Sequence, residues 1–535
     1  MLILLPVSMF KAFFRPASLR TAAALVAAAL VASCETTSTA AGTTTGVSTA
    51  SSDVAVERVI LQAYRAIGDR HIFDPDFRKL APETYRGFAA ADPALALQTT
   101  EQSFTIRRDG KEVLTRPVPA ASDDGRAWGG LMAEMFAASI EASPALQKTD
   151  RQKLIKGALG ATTKLLDRNT RYADPEEARE NRFQRDGGGG IGITVERTED
   201  KGVLIRNVQD NSPASRAGLA KDDQILAIDG QAVGDRPLID VVHMLRGSVG
   251  AALTIKVIRP SQSREVTVEL KRARIVPTTV IYERRGNVAH IRLIGFNSAT
   301  TDTLRTTIDK AQAEIGPAMA GVILDMRGNR GGLLDQALSV SEVFIAEGPV
   351  FATQGRHPDS RRNYRSAGTR KGPDAPMVVL LNGQSASAAE IVAAALQDRG
   401  RAVLVGTTSY GKGTVQTVVR LANEGELIMT WSRLLAPSGY TWNELGVLPN
   451  VCSANTGEVP LTALAASDSN RATLMRWHAL RNPTNEEVTT LRKICPPGQD
   501  APDRDLDIAA RLLGDRDLYA RAVRAGYDQA ALTRQ

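Results

Sequence analysis

Aromatic residues are scarce, 5% of a 535-residue chain, so any core must be built mainly from Val, Leu, Ile and Ala. Histidine is thin as well: His71, His243, His290, His357 and His478 are scattered. With no CxxC and no HExxH, no zinc site is expected. The same scatter weakens a Ser–His–Asp arrangement, because none of the five lies in a glycine-rich turn or beside an acidic motif. Beyond the N-terminus no run of eighteen apolar residues occurs, so no internal membrane span is expected. Charge is balanced: the formal net value is +7, and Lys11, Arg15 and Arg20 lie in a segment expected to be removed, leaving +4. That excess is too mild and scattered for nucleic acid.

What is present begins with compartment. The three basic residues precede "TAAALVAAALVAS", the charged-then-apolar pattern of a secretory signal. The run ends in Val31-Ala32-Ser33-Cys34, which resembles a bacterial lipobox and implies that Cys34 becomes a lipid-modified N-terminus. Glu35 is not the aspartate associated with inner-membrane retention, which favours the outer membrane. Residues 35–53 are small and polar and read as a tether. Cys452 and Cys495 remain; an oxidising periplasm allows them to pair, although their positions in sequence do not show that they meet.

Length suggests roughly two to four domains. Residues 54–185 carry mostly helical spacing, and "DGGGG" at 186–190 breaks it. Short alternating strands follow over 186–273, with "DVVHMLRGS" helical among them, suggesting a compact, partly open β-barrel. Residues 274–458 alternate strand and helix, with helices near 300–314, 332–346 and 387–398, which argues for an α/β domain. "TVQTVVRL" and "GELIMTWSRLLAP" form a hairpin, and 459–535 is charged and helical. No internal repeat is present.

"NGQSASAAEIVAAALQDRG" (382–400) places Ser387 on a turn between a strand and a strong helix former, with Glu390 completing the S-x-x-E of a capping box. The first N–H groups of such a helix have no intrahelical partner and sit at the positive end of its dipole. Ser387 can cap the helix, or stand as a nucleophile beside oxyanion donors. A base is needed for the second role. Lys412, between Gly411 and Gly413 and among uncharged residues, can supply it if burial lowers its pKa. If "KGTVQ" is extended, Lys412, Thr414 and Gln416 share a face, and Gln416 can orient the amine. Lys412 can equally be a solvated turn lysine. "GTTSYGKG" (406–413) lacks the Ser or Thr of a Walker A loop, and the glycines at 187, 189 and 192 precede a strand rather than a helix, so both nucleotide readings are weak.

At these motifs the chain resembles the carboxyl-terminal processing peptidases, or tail-specific proteases. The likeness runs in order through "LDRNTRYADPEE", "GGIGITV", "SPASRAGLAKDDQILAIDGQAV", "LDMRGNRGGLLDQAL", the Ser387 stretch, "SYGKGTVQ" and "LAPSGYTWNELGVLPN", over roughly 160–451. It implies a crotonase/ClpP-like α/β catalytic core with an inserted PDZ β-barrel and helical N- and C-terminal regions. Residue by residue it implies Ser387 as nucleophile, Lys412 as general base and Gln416 as the residue positioning that lysine. The N–H of Ala388 with that of Gly331 or Gly332 would form the oxyanion hole, and Asp398 would be structural support. Gly190, Ile191 and Gly192 would hold a substrate's terminal carboxylate while a strand edge takes the peptide.

The resemblance therefore implies a periplasmic, lipid-anchored serine endopeptidase without cofactor. Its partners would be proteins with free C-termini, and it leaves room for an adaptor and an oligomer. Three departures bear on peptide preference and gating: Lys221 before Asp222-Asp223, Arg330 in place of a proline, and Asn450 in place of an aspartate. The basic loop 355–371 reads as solvated surface. Two rival readings are a catalytically dead PDZ scaffold binding envelope proteins and an acyl-thioester enzyme of the same α/β architecture. Intact Ser387, Lys412 and Gln416 argue against the first, and the peptide-reading segment against the second.

Overall fold

Five buried residues in a row, Gly321–Asp325, and five more, Met377–Leu381, form strands apolar on both sides. Such strands belong in the middle of a parallel sheet covered on both faces. In the computed structural model they pair in parallel, Val322 with Met377, inside a six-stranded sheet. Its order is Val280–Arg285, Val288–Leu293, Gly321–Asp325, Met377–Leu381, Val403–Gly406, Val451–Cys452. Only the outermost pair, Val280–Arg285 with Val288–Leu293, is antiparallel. The structure describes residues 55–526 except 200–201, 260–263, 369–371, 455–460, 462–464, 466 and 499–501. The signal, Cys34 and the tether lie outside the described residues.

Side-chain alternation assigns the two faces. Val322, Leu324, Val379 and Leu404 join a core with the helices Thr300–Ile315, Leu334–Phe344 and Ala388–Asp398. Ile323, Val378, Leu380, Val403 and Val405 face Ile508, Ala509, Leu512 and Leu518 of the helices Pro502–Gly514 and Arg516–Gly526. The charged C-terminal segment is thus one layer of this α/β core rather than an appendage. Its sequence reads as polar because only one stripe of each helix meets the sheet. Another part of it docks on the first face through Leu474, Trp477, Leu491 and Cys495. There Cys452 and Cys495 form a disulfide across a sequence separation of 43. In the chain-entropy account a loop of that size stabilises by up to about 4 kcal/mol. Replacing Cys495 with alanine should therefore lower the unfolding free energy in urea by about 2–4 kcal/mol, and reductant should bring the parent protein towards the same value.

The N-terminal region is helical, with Val56–Arg70, Phe77–Ala89, Gly125–Ala142 and Arg151–Lys164 packed through Tyr64, Phe77, Phe88, Trp128 and Phe136. It also holds an element that helical periodicity does not suggest, a three-stranded antiparallel sheet of Leu95–Thr99, Ser103–Arg108 and Lys111–Pro117. The signal was Asp109-Gly110, both at positive φ (49° and 77°), the Asp-Gly hairpin turn between alternating residues. This region shares its core with Leu421, Leu427 and Met429 of the hairpin formed by Thr414–Arg420 and Glu426–Leu435, and the strand Arg171–Ala173 pairs with Glu426–Leu435.

The inserted segment forms an open sheet, Arg264–Lys271, Ala252–Arg259, Gln224–Ile228, Gly202–Val208, Ile193–Thr198, beside the helix Leu238–Leu245. Its outer strands do not pair among the described residues, so the expected partly open barrel is open along that edge. Entry and exit are joined, because Gly188–Gly190 pairs with Ala273–Ile275. Gly187 permits that junction: it sits at φ 75°, and a Cβ there would stand 2.5 Å from the Ile275 carbonyl oxygen.

Candidate active site

Two loops leave the C-terminal ends of neighbouring parallel strands and are tied together. From Gly321–Asp325 comes Met326–Gly332, and from Met377–Leu381 comes Asn382–Ser387. Asn382 Oδ1 accepts from Gly328 N at 3.0 Å, and Ser385 Oγ donates to the Met326 carbonyl at 2.9 Å. Asn329 O accepts from Ala386 N at 2.9 Å. On this platform Ser387 takes φ 56°, ψ −115° at the start of Ala388–Asp398. That conformation costs a residue with a Cβ about 1–3 kcal/mol and presents its side chain outward, as in a nucleophile elbow. Ser387 is half-buried, while every residue of the helix behind it is buried. Ser387 and Glu390 close the expected capping box, the Ser387 side chain facing the Glu390 N–H while the Ser387 N–H donates to Glu390 Oε2 at 2.8 Å.

Gly331 lies against the turn: a Cβ on it would come within 2.9 Å of both Ala388 N and Ser387 Cβ. Its N–H, however, donates to Asn329 Oδ1 at 2.8 Å. Gly332 is bridged to Phe296 through the flanking Gly331 carbonyl and Leu333 N–H. The N–H of Gly332 meets no protein acceptor among the described residues, so of the two glycines it is the one with a donor to spare.

Lys412 arrives on the loop between Val403–Gly406 and Thr414–Arg420. Glu390, fully buried, holds that loop. Its Oε1 accepts from Gly411 N at 2.7 Å and from the Ser409 hydroxyl, and its Oε2 accepts from Lys412 N at 2.9 Å. One carboxylate oxygen thus receives the backbone N–H of both Ser387 and Lys412. The Lys412 side chain is half-buried. Burial pushes its amine below the ordinary lysine value, the Arg171 charge adds to the shift, and Glu390 opposes it. The Ser387 hydroxyl and the Lys412 amine form no hydrogen bond with each other, a looseness common before substrate binds.

Comparison with known proteins agrees with this geometry. The sequence pattern of peptidase family S41 matches residues 287–453, and that of a PDZ domain matches 189–270. A carboxy-terminal-processing protease of Bartonella bacilliformis is 35% identical over 304 residues, 56% of this chain and 70% of that protein. The chain belongs to peptidase family S41. Carboxy-terminal processing proteases CtpA and CtpB of Bacillus subtilis are 32% and 31% identical over 57% of this chain, and the matched stretch spans 65% and 64% of their lengths. This S41 peptidase is accordingly a PDZ-containing serine-type carboxy-terminal processing peptidase.

Other expected site residues of this S41 peptidase are placed as follows. Gln416 Nε2 donates to Thr414 Oγ1 at 3.0 Å, two residues beyond Lys412, and Gln416 makes no hydrogen bond to the Lys412 amine among the described residues. Thr414 Oγ1 also takes Asn169 Nδ2 at 3.3 Å. Asp167 secures that asparagine, accepting Asn169 N at 2.8 Å, Thr430 Oγ1 at 2.7 Å and His71 Nε2 at 3.0 Å. Sequence reading matched "LDRNT" to the family without assigning this contact; no local pattern announces a partner 245 residues away. Asp398 is buried, accepts Ser438 N at 2.8 Å and faces His478 Nδ1 at 3.4 Å, away from the turn at Ser387. In the PDZ domain, Ile191 and Gly192 spend their carbonyls on Ala214 N and Gln209 N, at 2.9 and 2.8 Å. Gly190 lies in the junction ladder opposite Ala273.

Proposed function

We propose that this peptidase is lipid-anchored through Cys34 in the periplasm, more consistent with the outer membrane, and trims proteins whose free C-terminal tails its PDZ domain binds. Gly190, Ile191 and Gly192 offer the carboxylate loop, and the edge strand Ile193–Thr198 offers its backbone to the peptide. Ser387 is the nucleophile. Neutral Lys412 takes the hydroxyl proton as the oxygen bonds to the scissile carbonyl carbon, and Gln416 Oε1 orients the amine. The oxyanion is held by the N–H groups of Ala388 and Gly332, both without an acceptor among the described residues. Collapse breaks the C–N bond, Lys412 returns the proton to the leaving amine, and water then hydrolyses the acyl-serine by the same base.

The observation that carries this reading is the single Glu390 oxygen that receives the N–H of both Ser387 and Lys412. It brings the proposed nucleophile and base loops together from positions 25 residues apart in sequence. The test is a comparison of envelope-protein C-termini by mass spectrometry in parent and Ser387→Ala cells. Extended C-termini are expected in the variant, and identical C-termini would sink the proposal. Anchoring has its own test: Cys34→Ala should move the protein from the membrane to the soluble envelope fraction.

A further inference from the structure

Glu390 is a buried carboxylate that makes no ion pair among the described residues. An acid in that position is costly unless hydrogen bonds replace its hydration. Here four donors do so: the N–H groups of Ser387, Gly411 and Lys412, and the Ser409 hydroxyl. Three of the four belong to the loop that carries Lys412 and one to the proposed nucleophile. A helix cap needs only the last, so the other three require another explanation. We propose that Glu390 is a positioning residue for the general base: its carboxylate fixes the backbones of Ser387 and Lys412 in one frame, and its charge beside Lys412 tunes the protonation of that amine.

The groups that face this pair are few. Lys412 meets the fields of Glu390, from the helix behind Ser387, and of Arg171, from the strand that joins the catalytic hairpin. Glu390 is felt in addition by Arg492, at the end of Asn485–Arg492, and by the buried Tyr440 hydroxyl. Arg168 and Tyr410 act on Arg492 in turn. Burial raises Glu390 above the usual carboxylate value while its four hydrogen bonds pull it back. Among these neighbours Glu390 is the one that favours the protonated amine and Arg171 the one that disfavours it. Loss of the Glu390 charge should therefore let Lys412 become neutral at lower pH.

Glutamine is the discriminating substitution. Whichever way its amide turns, the nitrogen meets a backbone N–H, of Gly411 on one side or of Ser387 and Lys412 on the other. The inference rests on the Ser387–Lys412 reading, and the experiment separates the two. The pH dependence of cleavage of an unfolded reporter protein is measured for the parent, Glu390→Gln, Ser409→Ala and Ser387→Ala. Glu390→Gln should lose about 100-fold in kcat through misplacement of the base, with KM little changed, and its acid limb should move to lower pH. Ser409→Ala removes one donor and keeps the charge; it should lose about tenfold in kcat, with the acid limb unmoved. A folded Glu390→Gln protein with the parent's kcat, or with an unmoved acid limb, overturns the proposal. If circular dichroism shows that Glu390→Gln does not fold, Ser409→Ala decides, and a parental kcat there overturns it. Cleavage by Ser387→Ala would instead sink the underlying Ser–Lys reading.

Discussion

Replacing Lys412 with methionine should lower kcat/KM by about 10⁴-fold or more while leaving the unfolding midpoint close to that of the parent. The size follows from the role: removing one member of a nucleophile–base set forfeits nearly all of its contribution, because the members act as a unit. The small effect on folding follows from the environment. The amine is half-buried and finds no acid within ion-pair distance among the described residues, so methionine fills its path without orphaning a charge. The parent's pH profile carries the same physics. Lys412 must be neutral to accept a proton, so activity rises with pH through the lysine's depressed value, and burial is the main cause of that depression. Arg171→Ala removes the cation that assists, so the acid limb should move to higher pH, opposite to Glu390→Gln. Cleavage by the methionine variant at more than a hundredth of the parent rate would remove Lys412 from the mechanism.

Much of this site was legible before any coordinates, for a local reason. Ser387, its helix and Glu390 occupy one short stretch in which strand, turn and helix each have their own residue signature. The helices expected near 300–314, 332–346 and 387–398 appear as Thr300–Ile315, Leu334–Phe344 and Ala388–Asp398, because their periodicity and bounding turns are strong. Contacts between distant segments were not legible. Nothing near Glu390 indicates that it accepts from Gly411 and Lys412, and nothing near Asn169 points to Thr414. The Asn329 side chain takes the N–H of Gly331, a direction that spacing cannot encode. The C-terminal helices were read as a charged tail because half-buried helices with wide polar faces look alike whether or not a sheet lies beneath them. How far the PDZ barrel closes was legible only in part: alternating strands announce a sheet, but whether its edges meet is decided by twist and register, not by composition.

The second large effect is on stability and comes from the C-terminal layer. Arg327→Met should destabilise the protein by about 3–5 kcal/mol at neutral pH, the usual consequence of leaving buried carboxylates without their cation. Arg327 is the second residue of the loop Met326–Gly332. Its guanidinium holds Asp325 through Nε at 2.9 Å and Nη2 at 2.7 Å, and reaches Asp505 of Pro502–Gly514 through Nη1 at 3.1 Å. All three residues are buried. Burial pushes the Asp325 carboxyl up, but hydrogen bonds from His290 and Arg327 and the Arg327 charge prevail and hold it below the usual range. Its contribution is therefore present above the ordinary carboxylate pKa and is lost as pH falls below it towards the depressed value. Asp505, raised by burial despite Ser453 and Arg327, works in the opposite sense, gaining as pH falls. Without Arg327 both carboxyls rise, so urea unfolding should show the gap between parent and variant narrowing from pH 7 towards pH 5. An Arg327→Met protein as stable as the parent at pH 7 would mean that the C-terminal helices do not rely on this pair. If the gap appears, kcat should fall with it, because the same guanidinium anchors the strand end from which the proposed oxyanion loop departs.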